Sequence, residues 1–179
     1  MRSENIEASM QKTISYAQKT NPIWPFAAML VNAKGEPLCL ATDCAHISPL
    51  FHAEALAIHA LISSGFHKER GRLTLFSTAE PDSLSQSAIY WAKITHDIDV
   101  AHICYGSSLK TINRLWKFGI DIPAEEIHAR SQLSTIAFSR SICEKECDTL
   151  FIEAKEKQQG DHPAHGLLST DESDFYTLF

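Results

Sequence analysis

Between Ser48 and Ser63 the chain reads S-P-L-F-H-A-E-A-L-A-I-H-A-L-I-S, with His52, Ala53 and Glu54 at its centre. Leu56, Ala57, Ala60 and Leu61 recur at the spacing of one helical face. Pro49 marks a loop just upstream, so the pattern predicts a buried helix opened by His52 and Glu54. An imidazole and a carboxylate two residues apart at a helix start are placed for chemistry. The nearest echo lies downstream, from Thr74 to Ala92, T-L-F-S-T-A-E-P-D-S-L-S-Q-S-A-I-Y-W-A. There a short apolar run ends at Glu80-Pro81 and gives way to a second helix from Asp82 to about Thr95.

Outward from these two stretches the chain alternates strands and helices. Ile6, Met10, Ile14 and Ala17 recur every three or four residues, which predicts an amphipathic helix stopped by Asn21-Pro22. Pro25 to Val31 is an apolar strand, and N-A-K-G-E turns it into a hairpin partner from Pro37 to Ala41. After the His52 helix come a loop, G-F-H-K-E-R-G, then a strand from Leu73 to Ser77 and the Asp82 helix. A further strand spans Val100 to Tyr105, and a helical piece spans Leu109 to Phe118. This order reads as an α/β chain, a three-layer α/β/α sandwich whose sheet is largely parallel in its later part. Beyond Ala129 the residues through Lys157 pattern as one long helix. The expected organisation is a single domain over 1–157 and a C-terminal tail over 158–179, the tail rich in loop-forming residues.

Composition agrees with one folded unit. The chain has 179 residues, 44% of them hydrophobic and 21% charged, which is ordinary for a globular domain with a substantial core. A net charge of -6 argues against an extended nucleic-acid or membrane surface. The start, M-R-S-E-N-I-E-A-S-M, lacks the apolar centre of a signal peptide, and no apolar run reaches membrane-spanning length, so a cytoplasmic location is expected. The five cysteines are odd in number and lie mostly in apolar segments, as reduced core thiols do.

The sequence H-A-E at 52–54, followed by P-D-S-L-S at 81–85, resembles the cytidine deaminase-like superfamily, within it the guanine deaminase and tRNA-adenosine deaminase branch. Pro25-Phe26-Ala27-Ala28 and A-I-Y-W-A-K-I at 88–94 add to the resemblance, which covers roughly Pro25 to Ile127. That family joins H-A-E on one helix to P-C-x-x-C at the start of the next; its His and two Cys hold zinc and its Glu shuttles protons. The resemblance therefore implies a cytidine deaminase-like fold with a mixed five-stranded sheet, hydrolytic deamination of a purine-like base, and a homodimer formed through helices flanking the site. It makes His52 the imidazole ligand and Glu54 the proton shuttle. It also places Asp43 near a substrate-binding Asn of the family, and it places Ala27 at a family glycine.

The two cysteine positions are Asp82 and Ser85. Asp is a preferred N-cap and Ser is tolerated in a first turn, so one reading is that the helix keeps its cap while the metal site is lost. The other is altered metal binding, by His52 and Asp82 with a poor third ligand in Ser85, holding zinc weakly or an oxygen-preferring ion such as manganese. Charge bears on the choice. A zinc ion with two thiolates and a neutral His sums to zero, and so does a protonated His52 beside an ionised Asp82, so an ion pair fits the place of the metal. Cys143 and Cys147, four apart, have a spacing compatible with metal or with a core face, and Cys44 is the nearest candidate for a rescuing thiol. Two functions stay open: a deaminase-fold protein with a degenerate metal site that binds a ligand or partner, and an active purine-base deaminase with an atypical metal. Asp82 and Ser85 favour the first, and Glu54 favours the second.

Overall fold

The computed structural model describes residues 3–65, 71–117, 119–131 and 135–161. Its first helix, α1 (Ser3–Thr20), is followed by the hairpin β1 (Ala27–Val31) and β2 (Pro37–Thr42). Then come α2 (Ala53–Ser63), β3 (Arg72–Ala79), α3 (Ser83–His96) and β4 (Asp99–Ser107). The strands order as β2-β1-β3-β4, with a short fifth strand, β5 (Ala137–Ser139), beyond β4. β1 runs antiparallel to β2 and to β3, while β3–β4 and β4–β5 are parallel, so the sheet is mixed and five-stranded as expected.

Alternation along the central strands builds two cores. Ala28 and Leu30 of β1, Leu73 and Leu75 of β3, and Ile103 and Tyr105 of β4 face α2 and α3, where Leu56, Ala57, Leu61, Ile89 and Ala92 meet them. Their neighbours Ala27, Met29, Val31, Phe76 and Cys104 face the opposite way. These meet Met10, Ile14 and Ala17 of α1 and Cys147 and Leu150 of α6 (Glu144–Asp161). Because the sheet is covered on both faces, all five residues of β1 are buried, which explains its unbroken apolar run. The result is a three-layer α/β/α sandwich.

The expected single helix beyond Ala129 does not form. That stretch holds the end of α5 (Ala124–Arg130), then β5, then α6. β4 would otherwise end the sheet, and Ala137, Phe138 and Ser139 pair in parallel with His102, Ile103 and Cys104. Left-handed backbone at Ser141 and Cys143, with φ of 57° and 51°, then turns the chain into α6. A helical pattern with imperfect faces thus yields to an available sheet edge. α6 runs to Asp161, and the remainder of the expected tail lies outside the described residues, as does most of the G-F-H-K-E-R-G loop.

One carboxylate organises the carboxyl end of the sheet. Glu80, just past β3, accepts from the Leu109 N–H at the start of α4 (Leu109–Trp116) and from the Ala124 N–H at the start of α5, each at 2.9 Å. Both are orphan donors at helix N-termini, where a negative charge is favoured. The residues between β4 and β5 are therefore anchored to the same corner that starts α3. Glu80→Ala leaves both N–H groups without this partner, and chemical denaturation is expected to show a loss of about 2 kcal/mol. A loss within error of zero shows that water replaces the carboxylate.

Candidate active site at two helix starts

The two stretches read from the sequence meet at their helix starts. His52 is the N-cap of α2, in extended backbone. Asp82 is the N-cap of α3, where its Oδ1 accepts from the Ser85 N–H at 2.9 Å. Its other oxygen, Oδ2, lies 3.1 Å from His52 Nδ1. One carboxylate therefore caps one helix and binds the residue that caps the other.

Behind this pair lies Glu54, buried in the first turn of α2. Ser77 of β3 donates its hydroxyl to Glu54 Oε1 at 2.5 Å, and Ser85 of α3 donates to Oε2 at 2.8 Å. Ser77 and Ser85 are themselves about 1% exposed. Both carboxyl oxygens of Glu54 are thus held by protein hydroxyls away from water.

Asp43 approaches from the loop that follows β2. The Cys44 N–H donates to the Phe51 carbonyl at 2.8 Å, which closes that loop and brings Asp43 toward His52. Asn21 donates to the Asp43 backbone carbonyl at 3.1 Å and accepts from the Trp24 N–H at 3.0 Å, fixing the loop from beneath. Asp43 Oδ1 accepts from the Ala45 N–H at 2.8 Å.

The electrostatics follow from this packing. The hydrogen bond that the His52 ring donates to Asp82 raises His52 to about 9 against the opposing effect of burial. Burial pulls the Asp82 carboxyl upward, but the His52 hydrogen bond and the Ser85 N–H outweigh it and hold the group below the usual carboxylate range. Glu54 is raised by burial, partly countered by the Ser77 hydroxyl. Asp43 is raised to about 6, chiefly by burial, with the Ala45 N–H opposing.

The fold therefore brings His52, Glu54, Asp82 and Ser85 into one hydrogen-bonded cluster, with Asp43 at its side. Cys143 and Cys147 pack on the other face of the sheet, with Met10 and Phe76, remote from this cluster. The Cys44 thiol is directed to the Thr42 carbonyl at 3.7 Å. Among the described residues, no group of three or more His, Cys, Asp or Glu side chains is arranged to hold a metal ion. Sequence reasoning passed over Ser77. The signal was a hydroxyl in T-L-F-S-T-A-E-P, placed by strand alternation on the same face as Leu73 and Leu75.

The sequence matches no protein-family model and no curated protein. Solved structures do match, and they define the chain's class: it has the cytidine deaminase-like fold. The guanine deaminase from Nitrosomonas europaea superposes with a TM-score of 0.68 at 18% identity, over 84% of this chain and 84% of that one. A mutant of NE0047 in complex with 8-azaguanine gives a TM-score of 0.70 at 18% identity, over 84% of this chain and 86% of that one. A tRNA:A34 deaminase gives 0.57 at 18% identity, over 83% of this chain and 99% of that one.

The His52–Asp82 pair sets a pH window. With its folded pKa raised from 6.5 to about 9, His52 contributes stability that is complete below 6.5 and fades as pH rises through about 9. Asp82, lowered from 3.8, contributes above 3.8 and loses its contribution as pH falls through its folded value. An NMR titration of the His52 ring is expected to show a midpoint near 9, and Asp82→Asn is expected to bring that midpoint down. A wild-type midpoint at or below 6.5 contradicts the pair.

Proposed function

We propose that this chain is a deaminase-fold protein whose metal site is replaced by a salt-bridged and hydrogen-bonded cluster. In this reading it lacks standard zinc-dependent deamination and retains a site for a purine-like base. The observation that carries the reading is the engagement of His52 Nδ1 by Asp82 together with the capture of Glu54 by two serines.

The donor set does not fit zinc. Catalytic zinc takes three protein ligands from Cys, His or carboxylate and leaves a place for water. Here one imidazole nitrogen is committed to a carboxylate, that carboxylate already caps α3, and the third position is a neutral hydroxyl that donates to Glu54. Glu54 accepts from a serine at each oxygen, an arrangement that fixes a carboxyl in place rather than leaving it open to a substrate atom.

The purine-like ligand is supported by the neighbours that bind 8-azaguanine and 2,6-diaminopurine. Asp43 modifies the expectation. An ionised carboxylate offers only acceptors where an amide offers both, so it favours amino and N–H edges over carbonyl edges. The competing reading, an active deaminase of a purine or related base with a weakly held metal and Glu54 as proton shuttle, is favoured by exposure. His52 and Asp82 are 29% and 30% exposed, so the pair can be reached from solvent.

A homodimer belongs to the same proposal. Trp91 and Ile94 of α3 are 58% and 52% exposed, a large apolar surface one turn of helix in length and of the kind enriched at interfaces. A cytoplasmic location is supported by free cysteines, and no described helix is long and apolar enough to cross a membrane.

Elemental analysis of protein purified without chelator is expected to give less than about 0.2 zinc per chain, because only two good ligands stand at the matched positions. Near-stoichiometric zinc returns the atypical-metal reading. Replacing both Asp82→Cys and Ser85→Cys is expected to confer tight zinc binding, with each single change doing so in part. If the zinc-loaded double variant then deaminates a base in a Glu54-dependent way, the pocket has been preserved. Sedimentation at micromolar concentration is expected to show a dimer that Trp91→Glu weakens, and a wild-type monomer removes that part of the proposal.

A further inference from the structure

The opposite face of the molecule carries a feature that the deaminase-like cluster does not use. A cleft of about 460 Å³ lies between α1 and the edge strand β2, lined by Gln11, Lys12, Ser15, Tyr16, Lys19 and Leu40. Lys12, Ser15, Tyr16 and Lys19 follow one another at helical spacing along one face of α1, which sets the two lysines about 10 Å apart along the axis. Among the described residues no acidic side chain lines the cleft and neither lysine has an ion-pair partner. Its lining is mostly apolar between two positive ends.

The strand beside this cleft has an open edge. Among the described residues, β2 is terminal in the sheet and pairs with β1 alone. The direction of its backbone groups follows from the ladder. Asp43 N–H donates to the Phe26 carbonyl, and the register sets Ala28 opposite Ala41 and Leu30 opposite Cys39. In an antiparallel pair the inward-bonding residues alternate, so Ala41 and Cys39 face β1 while the N–H and C=O of Leu40 point away from the sheet. Leu40 also lines the cleft and packs against the cluster on the α1 side of the sheet. A backbone donor and acceptor, an apolar floor and two lysines thus converge on one groove.

We propose that this groove docks an extended acidic peptide of a partner protein, which adds a strand to β2 at Leu40 and places carboxylates on Lys12 and Lys19. An unpaired sheet edge takes an incoming strand through main-chain hydrogen bonds, and side chains on alternate positions supply specificity. Along such a strand, residues i and i+4 point to one side about 13 Å apart, a span that two lysine side chains on a helix can meet. Residue i+2 then lies between them, over Leu40 and Tyr16. The groove therefore selects an acidic residue, an apolar or aromatic residue and a second acidic residue, each separated by one position. Lysine rather than a neutral donor at both ends makes the encounter sensitive to salt.

The test uses the full chain and a fluorescein-labelled ten-residue peptide with the core Asp-Val-Phe-Val-Glu. Fluorescence anisotropy is expected to show saturable binding that weakens with added salt. Hydrogen exchange is expected to show slowed exchange at the Leu40 amide on peptide addition. Lys12→Glu combined with Lys19→Glu is expected to weaken binding about tenfold or more, and a peptide with both acids changed to lysine is expected to recover binding to that variant. Both lysines are on the exposed side of α1, and an unchanged thermal melt establishes that the variant is folded. Absence of saturable binding up to millimolar peptide overturns the proposal. So does binding that leaves Leu40 exchange unchanged, or binding that tripolyphosphate alone reproduces, since either outcome makes the groove an anion site without strand addition.

Discussion

The charge pair between His52 and Asp82 is the constraint on which the centre of this molecule depends. Two helix N-termini point at one spot, and each brings unsatisfied N–H groups and a partial positive charge. Asp82 meets that need at α3 with one oxygen, and its other oxygen holds the side chain of His52, the residue that begins α2. A protonated imidazole supplies the matching charge. With burial on one side and solvent on the other, such a pair keeps its partners ionised, which the opposite displacements of His52 and Asp82 express. The pair thereby ties the start of α2 to the start of α3.

Glu54 completes this arrangement by a different route. A buried carboxyl needs hydrogen-bond partners or it raises the free energy of the folded state. The chain supplies two hydroxyls from two different elements, Ser77 on β3 and Ser85 on α3. The sheet, α2 and α3 are consequently joined at one side chain. Glu80 plays a similar part for two further helices, joining the end of β3 to the starts of α4 and α5, so polar contacts at the carboxyl end of β3 help to place the helices around it.

How much of this was readable from residues alone varies with the range of the cause. The helix from Ala53 declares itself by local periodicity and the strand from Ala27 by its unbroken apolar run, since in each the apolar pattern is also the packing. The meeting of His52, Glu54, Asp82 and Ser85 was readable only through resemblance, because two short stretches about thirty residues apart do not announce that they touch. Charge balance then anticipated the ion pair. β5 was not readable: three residues take their conformation from the exposed edge of β4, and their own pattern suits a helix equally well. Ser77 and Glu80 were missed for the same reason, their partners lying 23, 29 and 44 residues away.

The clamp at Glu80 has a consequence for how the molecule opens. Leu109 to Arg130 covers two short helices, of 8 and 7 residues, too short to persist alone. Their first turns share a single carboxylate at the end of a central strand, so releasing that carboxylate removes an anchor from both at once. Glu80 thereby ties the two helix starts to one point, while Ile112 and Trp116 packed on Phe151 and Ala154 and the His128–Gln86 hydrogen bond hold the rest, so the segment opens only when anchor and packing are lost together.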